Sequence, residues 1–507
     1  SIKGHRTWVF EREDGQDILV KRGHRMWRIE RDDGQDVLVK RGHRMWRIER
    51  DKLLAIACAK TKVRAKLFKL FHFFVIKIDK INIKPKINGR GYVGMKIFEE
   101  IEMVFHQLLT EEAIQEAFAF LKADNDRTTA EQIELTAIPA PTFQEQARGK
   151  VFKRKLIELG IEDVQTDHVG NVFGVRRGNG NGGPKLVVCA HLDTVFPEGT
   201  DTVAKVKDGK IYAPGISDDG RGLAVVLTLI RALNTAKIET EGDIIFGATV
   251  GEEGLGDLRG VKALFENRKD IDGFISIEPG DPTRTTYLAT GSVRYSVTYK
   301  GPGGHSFGAF GTPSAIHALG RAISMISDLE TPKYPKTTFN VGTISGGTSV
   351  NTIAAQGNMV IDLRSTSAEE LKKLEEEILT ILKKAAVLEN KRWGQEVISV
   401  EIQMVGNRPA GSQSPESAIV QASLAASKAL GAEPVLEQAS STDSNVPISL
   451  GVPAVTLGGG GEFGGAHTLE EFFDPTDAYY GPQKILLTVL GLVGIAGVCS
   501  PLLEKRS

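Results

Sequence analysis

The sequence contains little cysteine: Cys58, Cys189 and Cys499 are its three thiols, and they are widely scattered. An odd, dispersed set excludes a disulfide framework and is typical of a reducing compartment, so we expect a cytoplasmic protein. The first twenty residues are charged throughout, and we expect no signal peptide. The most apolar early run, "LFKLFHFFVIKI", is short and interrupted by lysine and histidine, so it should not cross a bilayer.

The chain also has almost no net charge, with 63 Lys and Arg against 64 Asp and Glu. That balance conceals a split, because residues 1–94 hold 24 basic and 11 acidic residues. The remainder therefore carries a surplus of acid, and the two parts are expected to differ in origin or role. A length of 507 residues exceeds what one hydrophobic core usually holds, which predicts two or more domains.

The first fifty residues form a tandem repeat. His5, His24 and His43 recur at equal spacing, each followed three residues later by a tryptophan. Each copy predicts a β-hairpin, since its residues alternate around an Asp-Gly turn. Two full copies bury little core, so we interpret residues 1–94 as a dispensable extension. The alternative is a basic arm that contacts nucleic acid, a partner we do not expect.

From residue 95 onward, helical patterns alternate with short apolar runs. The amphipathic stretch "MKIFEEIEMVFHQLLTEEAIQEAFAFLK" predicts a helix beginning near Met95. The runs "NVFGVRRG", "KLVVCAH", "DIIFGATV" and "GFISIEP" predict strands. This alternation predicts an α/β fold with a mostly parallel sheet flanked by helices.

Titratable side chains cluster where these strands end, which is where parallel sheets bind ligands. Taken singly, each has an ordinary explanation as a surface pair, a helix cap or a loop charge. Taken together, crowded carboxylates repel one another, and a divalent cation would remove that repulsion. Mixed nitrogen and oxygen ligands suit Zn²⁺, with Mn²⁺ or Co²⁺ as alternatives. The residues concerned are His191, Asp193, Asp218, Glu252, Glu253, Glu278 and His467.

Five segments resemble the motifs of a known family in their sequences and in their order along the chain. "AHLDTV", "APGISDDGRG", "GEEGLGD", "SIEPGD" and "GGAHT" are similar to the metal and catalytic motifs of one zinc-dependent metallopeptidase family. That family includes glutamate carboxypeptidase, acetylornithine deacetylase, aminoacylase and peptidase T. The similarity runs from about residue 100 to about residue 500. "KGPGGHSFGAFG" and "SSTDSNVPISLGVPAVTLGGGG" are most similar to peptidase-T-like members.

The resemblance implies a zinc-exopeptidase-like domain that holds two divalent metal ions. It implies that Asp218 bridges the two ions. His191 and Glu278 would complete one site, and Glu253 and His467 the other.

Two further acidic residues receive roles from the same resemblance. Asp193 would orient the imidazole of His191, as carboxylates commonly do for ligating histidines. Glu252 would act as the general base. The peptide bond between Asp218 and Asp219 would be cis.

Between residues 290 and 405 the pattern changes to that of a small α+β layer. The resemblance implies a lid that also forms the contact of a homodimer. His305 would then lie near the partner subunit's metals and stabilise the oxyanion. Asn351 and Arg364 would bind the carboxylate or backbone of the substrate, for which the guanidinium fork is suited. The ordinary explanations are a loop-capping histidine, a turn asparagine and a strand-edge arginine.

We therefore expect a two-metal hydrolase that cleaves an amide bond in small peptides or N-acyl amino acids, with no membrane partner. The alternative is a catalytically silent peptide-binding or scaffold protein on the same fold. Glu278 is typical of deacylases and carboxypeptidases in this family, whereas the surrounding sequence resembles peptidase T. Both N-acyl amino acids and small peptides therefore remain possible substrates. The expected organisation begins with the extension, residues 1–94. The catalytic domain then comprises residues 95–289 and 406–507, and the lid, residues 290–405, is inserted between its two parts.

Overall fold

The computed structural model describes residues 96–180 and 182–506 in full, together with short strands between residues 9 and 93. Two compact units are present, residues 1–84 and residues 85–507. The apolar run at residues 67–78 lies outside the described residues. Within the described part of the chain, no helix has the length and apolar character needed to cross a membrane.

In the first unit, the described strands form an antiparallel sheet in chain order. Glu13 pairs with Asp17 across the first Asp-Gly dipeptide, and Arg31 pairs with Val37 across the second. The predicted hairpin pairing is therefore confirmed, although the turn residues themselves are not described. The strands are β1 (Val9–Glu13), β2 (Asp17–Arg22), β3 (Arg25–Arg31), β4 (Asp36–Arg41) and β5 (Arg44–Glu49).

The strands of the second unit belong to one large sheet and three smaller ones. In chain order they are β6 (Ile87–Asn88), β7 (Gly91–Val93), β8 (Glu162–Thr166), β9 (Val172–Arg176), β10 (Lys185–His191), β11 (Lys205–Lys207), β12 (Lys210–Tyr212), β13 (Asp243–Thr249), β14 (Gly273–Glu278), β15 (Arg284–Thr286), β16 (Gly291–Lys300), β17 (Gly304–His305), β18 (Thr337–Gly346), β19 (Thr352–Ile353), β20 (Gln356–Ser365), β21 (Ser399–Arg408), β22 (Val435–Leu436), β23 (Ala454–Gly458), β24 (Glu462–Gly464) and β25 (Phe472–Asp474).

The helices of the second unit cover the large sheet or the inserted layer defined below. They are α1 (Glu99–Thr110), α2 (Glu112–Ala123), α3 (Asn125–Thr136), α4 (Gln146–Glu158), α5 (Gly220–Thr235), α6 (Arg259–Asn267), α7 (Ala315–Ser327), α8 (Ala368–Trp393), α9 (Ala418–Ala429), α10 (Asn445–Ser449) and α11 (Tyr480–Val493).

The large sheet confirms the predicted mostly parallel α/β architecture. Its order is β6-β7-β22-β15-β23-β14-β10-β13-β9-β8, and its central strands β13, β10, β14 and β23 run parallel. These strands are buried almost throughout, which explains why they read as continuous apolar runs. Helix α5 packs on this sheet with nearly every residue buried. The carboxyl ends of the central strands consequently meet at one edge.

The amphipathic stretch after Met95 folds as two helices rather than one. Glu111 has an extended conformation, with φ of −74° and ψ of 129°, and separates α1 from α2. The apolar periodicity continues across this break, because both helices pack on the same core, so the periodicity alone did not reveal it.

Residues 291–408 form a separate layer, which we call the inserted layer. In the chain it lies between β15 and α9. Its antiparallel sheet has the order β18-β20-β16-β21 and carries α7 and α8 on one face. The sheet and both helices enclose a hydrophobic core distinct from that of the large sheet. The short pair β17 and β19 extends from this layer.

Candidate metal centre

A cavity of about 520 Å³ lies beside the carboxyl ends of the central strands. Residues of the large sheet and its loops line one part of it, and residues of the inserted layer line another. A cavity of this size suits a small-molecule ligand. Its titratable lining residues are Asp218, Glu252, Glu253, Glu278, Arg294, Arg364, Arg408, Glu437 and His467.

The carboxylate of Asp218 lies between two imidazole rings. Its Oδ1 is 3.0 Å from Nε2 of His191, and its Oδ2 is 3.1 Å from Nε2 of His467. Glu253 Oε1 lies 2.9 Å from the same His467 nitrogen. Glu278 Oε2 lies 3.7 Å from Nε2 of His191. The five predicted ligands are thus brought together, with Asp218 in the middle.

Asp218 and its neighbour Asp219 have different surroundings. Asp219 caps α5, accepting a hydrogen bond from the Gly222 N–H at 3.0 Å, and also accepts the His191 N–H at 3.1 Å. Its oxygens are therefore engaged with the main chain, whereas the oxygens of Asp218 face the two imidazoles. The peptide bond between the two aspartates is cis, as the resemblance implied.

Asp193 fixes the candidate ligands mainly through the main chain. Nδ1 of His191 lies 2.9 Å from the backbone oxygen of Asp193 and 3.7 Å from its carboxylate. The carboxylate accepts the N–H groups of Glu252 and Glu253, each at 3.0 Å. Asp193 was predicted to contact the imidazole of His191. The structure shows that it also holds the loop that carries Glu252 and Glu253.

Glu252 is buried beside the candidate ligands and contacts Arg408. Nη1 of Arg408 donates to Glu252 Oε1 at 3.1 Å, and its Nη2 donates to the backbone oxygen of Glu252. Burial raises the pKa of Glu252 well above its ordinary value, even though Arg408 opposes that shift. The raised pKa favours the protonated form of this carboxyl group.

A further buried carboxylate, Glu471, holds the segment that carries Asp218. It accepts the N–H groups of Gly215, Ser217 and Asp218, each at 2.9 Å, and the Ser217 hydroxyl at 2.6 Å. Glu471 lies four residues after His467 in the chain. One side chain therefore fixes two loops that each carry a candidate ligand.

The electrostatics of the cluster favour bound positive charge. Hydrogen bonds to Asp218 and Glu253 raise the pKa of His467 to about 10. Burial opposes charge on His191, but its hydrogen bonds to the surrounding carboxylates raise its pKa well above the ordinary value. Oε1 of Glu278 is buried without a hydrogen-bond partner in the described residues. Imidazole and carboxylate donors with an unused oxygen fit divalent ions such as Zn²⁺, Mn²⁺ or Co²⁺.

The predicted substrate-binding residues lie in two places. Arg364 lines the cavity. His305 and Asn351 are exposed on the β17 and β19 segments and are not part of the cavity lining. Nδ1 of His305 accepts the N–H groups of Phe307 and Gly308, at 3.3 and 3.2 Å. Within one chain, these two residues are therefore not brought to the cluster.

Sequence reasoning did not identify Arg294, Arg408 or Glu471. Their residue types occur on any protein surface, and their partners are distant in the chain. Arg408 is the last residue of β21, in "NRPAG", and Glu471 follows His467 in "HTLEEF". Proximity to a recognised motif was the one available signal, and it applied to Glu471 alone.

The chain is similar to several curated proteins. It is 27% identical over 351 residues to the uncharacterized protein YqjE of Bacillus subtilis (strain 168), covering 66% of this chain and 91% of that protein. It is 26% identical over 285 residues to a succinyl-diaminopimelate desuccinylase of Burkholderia cenocepacia (strain HI2424), covering 51% and 74%.

Solved structures show the same fold. A tripeptidase from Staphylococcus aureus subsp. aureus Mu50 superposes with a TM-score of 0.62 at 25% identity, covering 72% of this chain and 97% of that one. The YXEP protein of Bacillus subtilis, a dinuclear metal binding peptidase from the M20 family, superposes with a TM-score of 0.56 at 18% identity, covering 73% and 99%. Residues 187–490, more than half of the sequence, match the profile of peptidase family M20/M25/M40, and the chain belongs to that family.

Proposed function

We propose that this chain is a two-metal amide hydrolase that acts on small peptides or N-acyl amino acids. The observation that carries the proposal is the Asp218 carboxylate, whose two oxygens lie 3.0 and 3.1 Å from the imidazoles of His191 and His467. This arrangement suits a carboxylate shared by two cations. Bound divalent ions would polarise the amide carbonyl and acidify the attacking water.

The distances around Asp218 support the ligand sets that the resemblance implies. His191, Asp218 and Glu278 would hold one ion, and Asp218, Glu253 and His467 the other. Zinc is the proposed metal, because both sets combine imidazole nitrogen with carboxylate oxygen, and cobalt or manganese would also be accepted. Asp193 holds the loop that carries Glu253 in place by accepting hydrogen bonds from the main-chain N–H groups of Glu252 and Glu253.

Glu252 is the proposed general base. It would remove a proton from the water that attacks the carbonyl carbon and later deliver that proton to the departing amine nitrogen. Its carboxylate is buried, lines the cavity and is held at one oxygen by Arg408. Burial, which raises the pKa of this carboxyl group, supports a role in which it receives a proton.

The inserted layer is proposed as a lid that pairs with a second copy of the chain. His305 and Asn351 are exposed on its β17 and β19 segments. Placed against the cavity of the partner subunit, His305 would stabilise the oxyanion and Asn351 would bind the substrate backbone. The domain boundaries near residues 95, 290 and 405 are part of the same proposal.

The decisive experiment combines metal analysis with a substrate panel. Purified protein loaded with Zn²⁺ should contain two ions per chain and hydrolyse at least one dipeptide or N-acyl amino acid. Glu252→Gln should keep both ions yet lose about 10²- to 10⁴-fold in kcat, the usual contribution of general acid–base catalysis. Glu266→Gln, on the exposed face of α6, is the matched control and should behave as the wild type.

Three results would contradict the proposal. A single tightly bound ion with full activity would remove the two-metal assignment. Retained turnover in Glu252→Gln would remove that residue as the base. Two bound ions with no hydrolysis across the panel would favour the silent peptide-binding alternative.

A further inference from the structure

We propose that the inserted layer positions the general base of the proposed reaction, and that Arg408 is the positioning residue through which it does so. The inference rests on the proposed amide hydrolysis and adds to it a residue that takes no part in the bond-breaking steps. It makes the placement of Glu252 depend on an element outside the large sheet.

Arg408 holds the side chain of Glu252 against the main chain of the same residue. Nη1 of Arg408 donates to Glu252 Oε1 at 3.1 Å, and Nη2 donates to the backbone oxygen of Glu252. The planar guanidinium group therefore connects two oxygens of one residue, which restricts the torsion angles between them. The other carboxylate oxygen, Oε2, accepts no hydrogen bond from the described residues, so it is left for the attacking water.

Arg408 is buried and held in place, but one of its donors has no partner. It pairs with Ser292 of β16 across the sheet of the inserted layer, and its Nη1 also donates to the hydroxyl oxygen of Ser441 at 3.2 Å. Its Nε is buried without a hydrogen-bond partner among the described residues. Because a buried donor without a partner lowers stability, this arginine has a role other than stability, and the contact with Glu252 supplies one.

Two more contacts join the inserted layer to the loop that begins at the base. Nη1 of Arg294 on β16 donates to the Gly254 oxygen at 3.0 Å, and Asp362 on the neighbouring strand accepts its Nε–H at 2.9 Å. The N–H of Asn407 on β21 donates to Asp257 Oδ1 at 2.8 Å. The inserted layer thus holds this loop at its start, in its middle and at its end.

The large sheet holds the same loop from the other side. The Asp193 carboxylate accepts the N–H groups of Glu252 and Glu253, each at 3.0 Å. Asp257 and Leu258 have φ of 55° and 60°, a conformation that residues other than glycine rarely adopt, so tertiary contacts must maintain it. The loop therefore depends on both layers, and the base is fixed for reaction only when the inserted layer is in place.

The first test measures kcat and KM of Arg408 variants for a substrate that the zinc-loaded wild type hydrolyses. Arg408→Met should lower kcat about 10²-fold, the loss expected when a catalytic group is displaced by about 1 Å, and change KM less than about 3-fold. Arg408→Lys keeps the charge but not the fork and should recover part of this loss. Arg176→Met is the control, because Arg176 is a partly buried arginine that also donates to a main-chain oxygen and does not line the cavity.

Two further variants separate positioning of the base from a general loss of structure. In Glu252→Gln the base is already absent, so adding Arg408→Met should lower kcat by less than about a further 3-fold. Asp257→Ala removes the acceptor of the Asn407 N–H and should lower kcat by about 3- to 10-fold, the range for one hydrogen bond. Asp257→Asn keeps an acceptor oxygen and should recover most of that loss. These variants keep the proposal testable if Arg408→Met does not fold.

Hydrogen exchange of the zinc-loaded protein gives a readout that needs no turnover. Arg408→Met and Asp257→Ala should each speed exchange of the Glu252 and Glu253 amides by about 10-fold or more, whereas Arg176→Met should leave it unchanged. If the wild type hydrolyses no substrate, the proposed function fails, and faster exchange would still show that the inserted layer positions this loop. Unchanged exchange, wild-type kcat in Arg408→Met, a loss confined to KM, or an equal further loss in the Glu252→Gln background would each overturn the proposal.

Discussion

Replacement of Glu471 by alanine should loosen the candidate metal centre without changing a proposed ligand. The carboxylate is fully buried and receives three main-chain N–H groups and one hydroxyl from the segment that ends at Asp218. Alanine would leave these donors without an acceptor. Because Asp218 is attached to this segment, its carboxylate would lose its fixed position between the two imidazoles.

The expected magnitude follows from the number of donors left unpaired. A buried donor without a partner costs about 1–3 kcal/mol, so three N–H groups set an upper range of about 3–9 kcal/mol. Water entering the vacated space would satisfy some of them, and burial of the charge already raises the pKa of Glu471, which reduces the net contribution of the carboxylate. We therefore expect a loss of about 3–5 kcal/mol in the free energy of unfolding, a large part of an ordinary domain's stability.

Urea unfolding and metal titration together test this reasoning. The free energy of unfolding of Glu471→Gln should lie between those of the wild type and Glu471→Ala. The amide keeps one acceptor oxygen, but its NH₂ group would face main-chain N–H donors. Glu470→Ala is the matched control, since the neighbouring side chain is exposed and should change stability by less than about 0.5 kcal/mol. If Glu471→Ala unfolds at the same urea concentration as Glu470→Ala and binds two metal ions with unchanged affinity, the positioning role is refuted.

Three further predictions concern other parts of the chain. Burial lowers the pKa of Lys484 to about 7, so the free energy of unfolding of the wild type should increase as pH rises from 7 toward 10.5. The urea concentration at the unfolding midpoint should therefore rise over this pH range in the wild type but not in Lys484→Met. Gly222→Ala should destabilise by about 1–3 kcal/mol in thermal melts, because the added Cβ would lie 2.4 Å from both carboxylate oxygens of Asp219. A chain beginning at Met95 should keep turnover, but should melt below one beginning at Pro85, because it lacks the β7 pairing with β22; aggregation or lost activity at equal metal content would contradict this.

The central strands and the cluster at their ends were predictable because their signals are local. Lys185–His191 and Asp243–Thr249 read as continuous apolar runs because they are buried on both faces. Titratable residues directly after such runs must meet at one sheet edge, which brings His191 close to the segment that carries Glu253. The motif wording then added His467, which no periodicity would have linked to them.

The remaining contacts could not be predicted because each joins residues far apart in the chain. Arg408 reaches Glu252 across 156 residues, and Glu471 reaches Asp218 across 253. A single charged residue at a strand end or in a loop belongs to no sequence pattern that identifies its partner, so the sequence alone predicts a solvated charge. The pairing of Arg294 with Asp362 is similar: a strand pattern predicts neither the neighbouring strand nor its register.

The position of His467, 249 residues after Asp218, has a consequence for biosynthesis. As the ribosome extends the chain, the inserted layer can close its own core while the large sheet still lacks β23, which must add beside β14. Until then the acidic cluster has only the imidazole of His191, and the edge of β14 is unpaired. Pairing of strands that are far apart in the chain is slow. The nascent polypeptide therefore cannot assemble the complete set of proposed ligands, and the proposed two-cation site forms only when the segment that carries His467 docks.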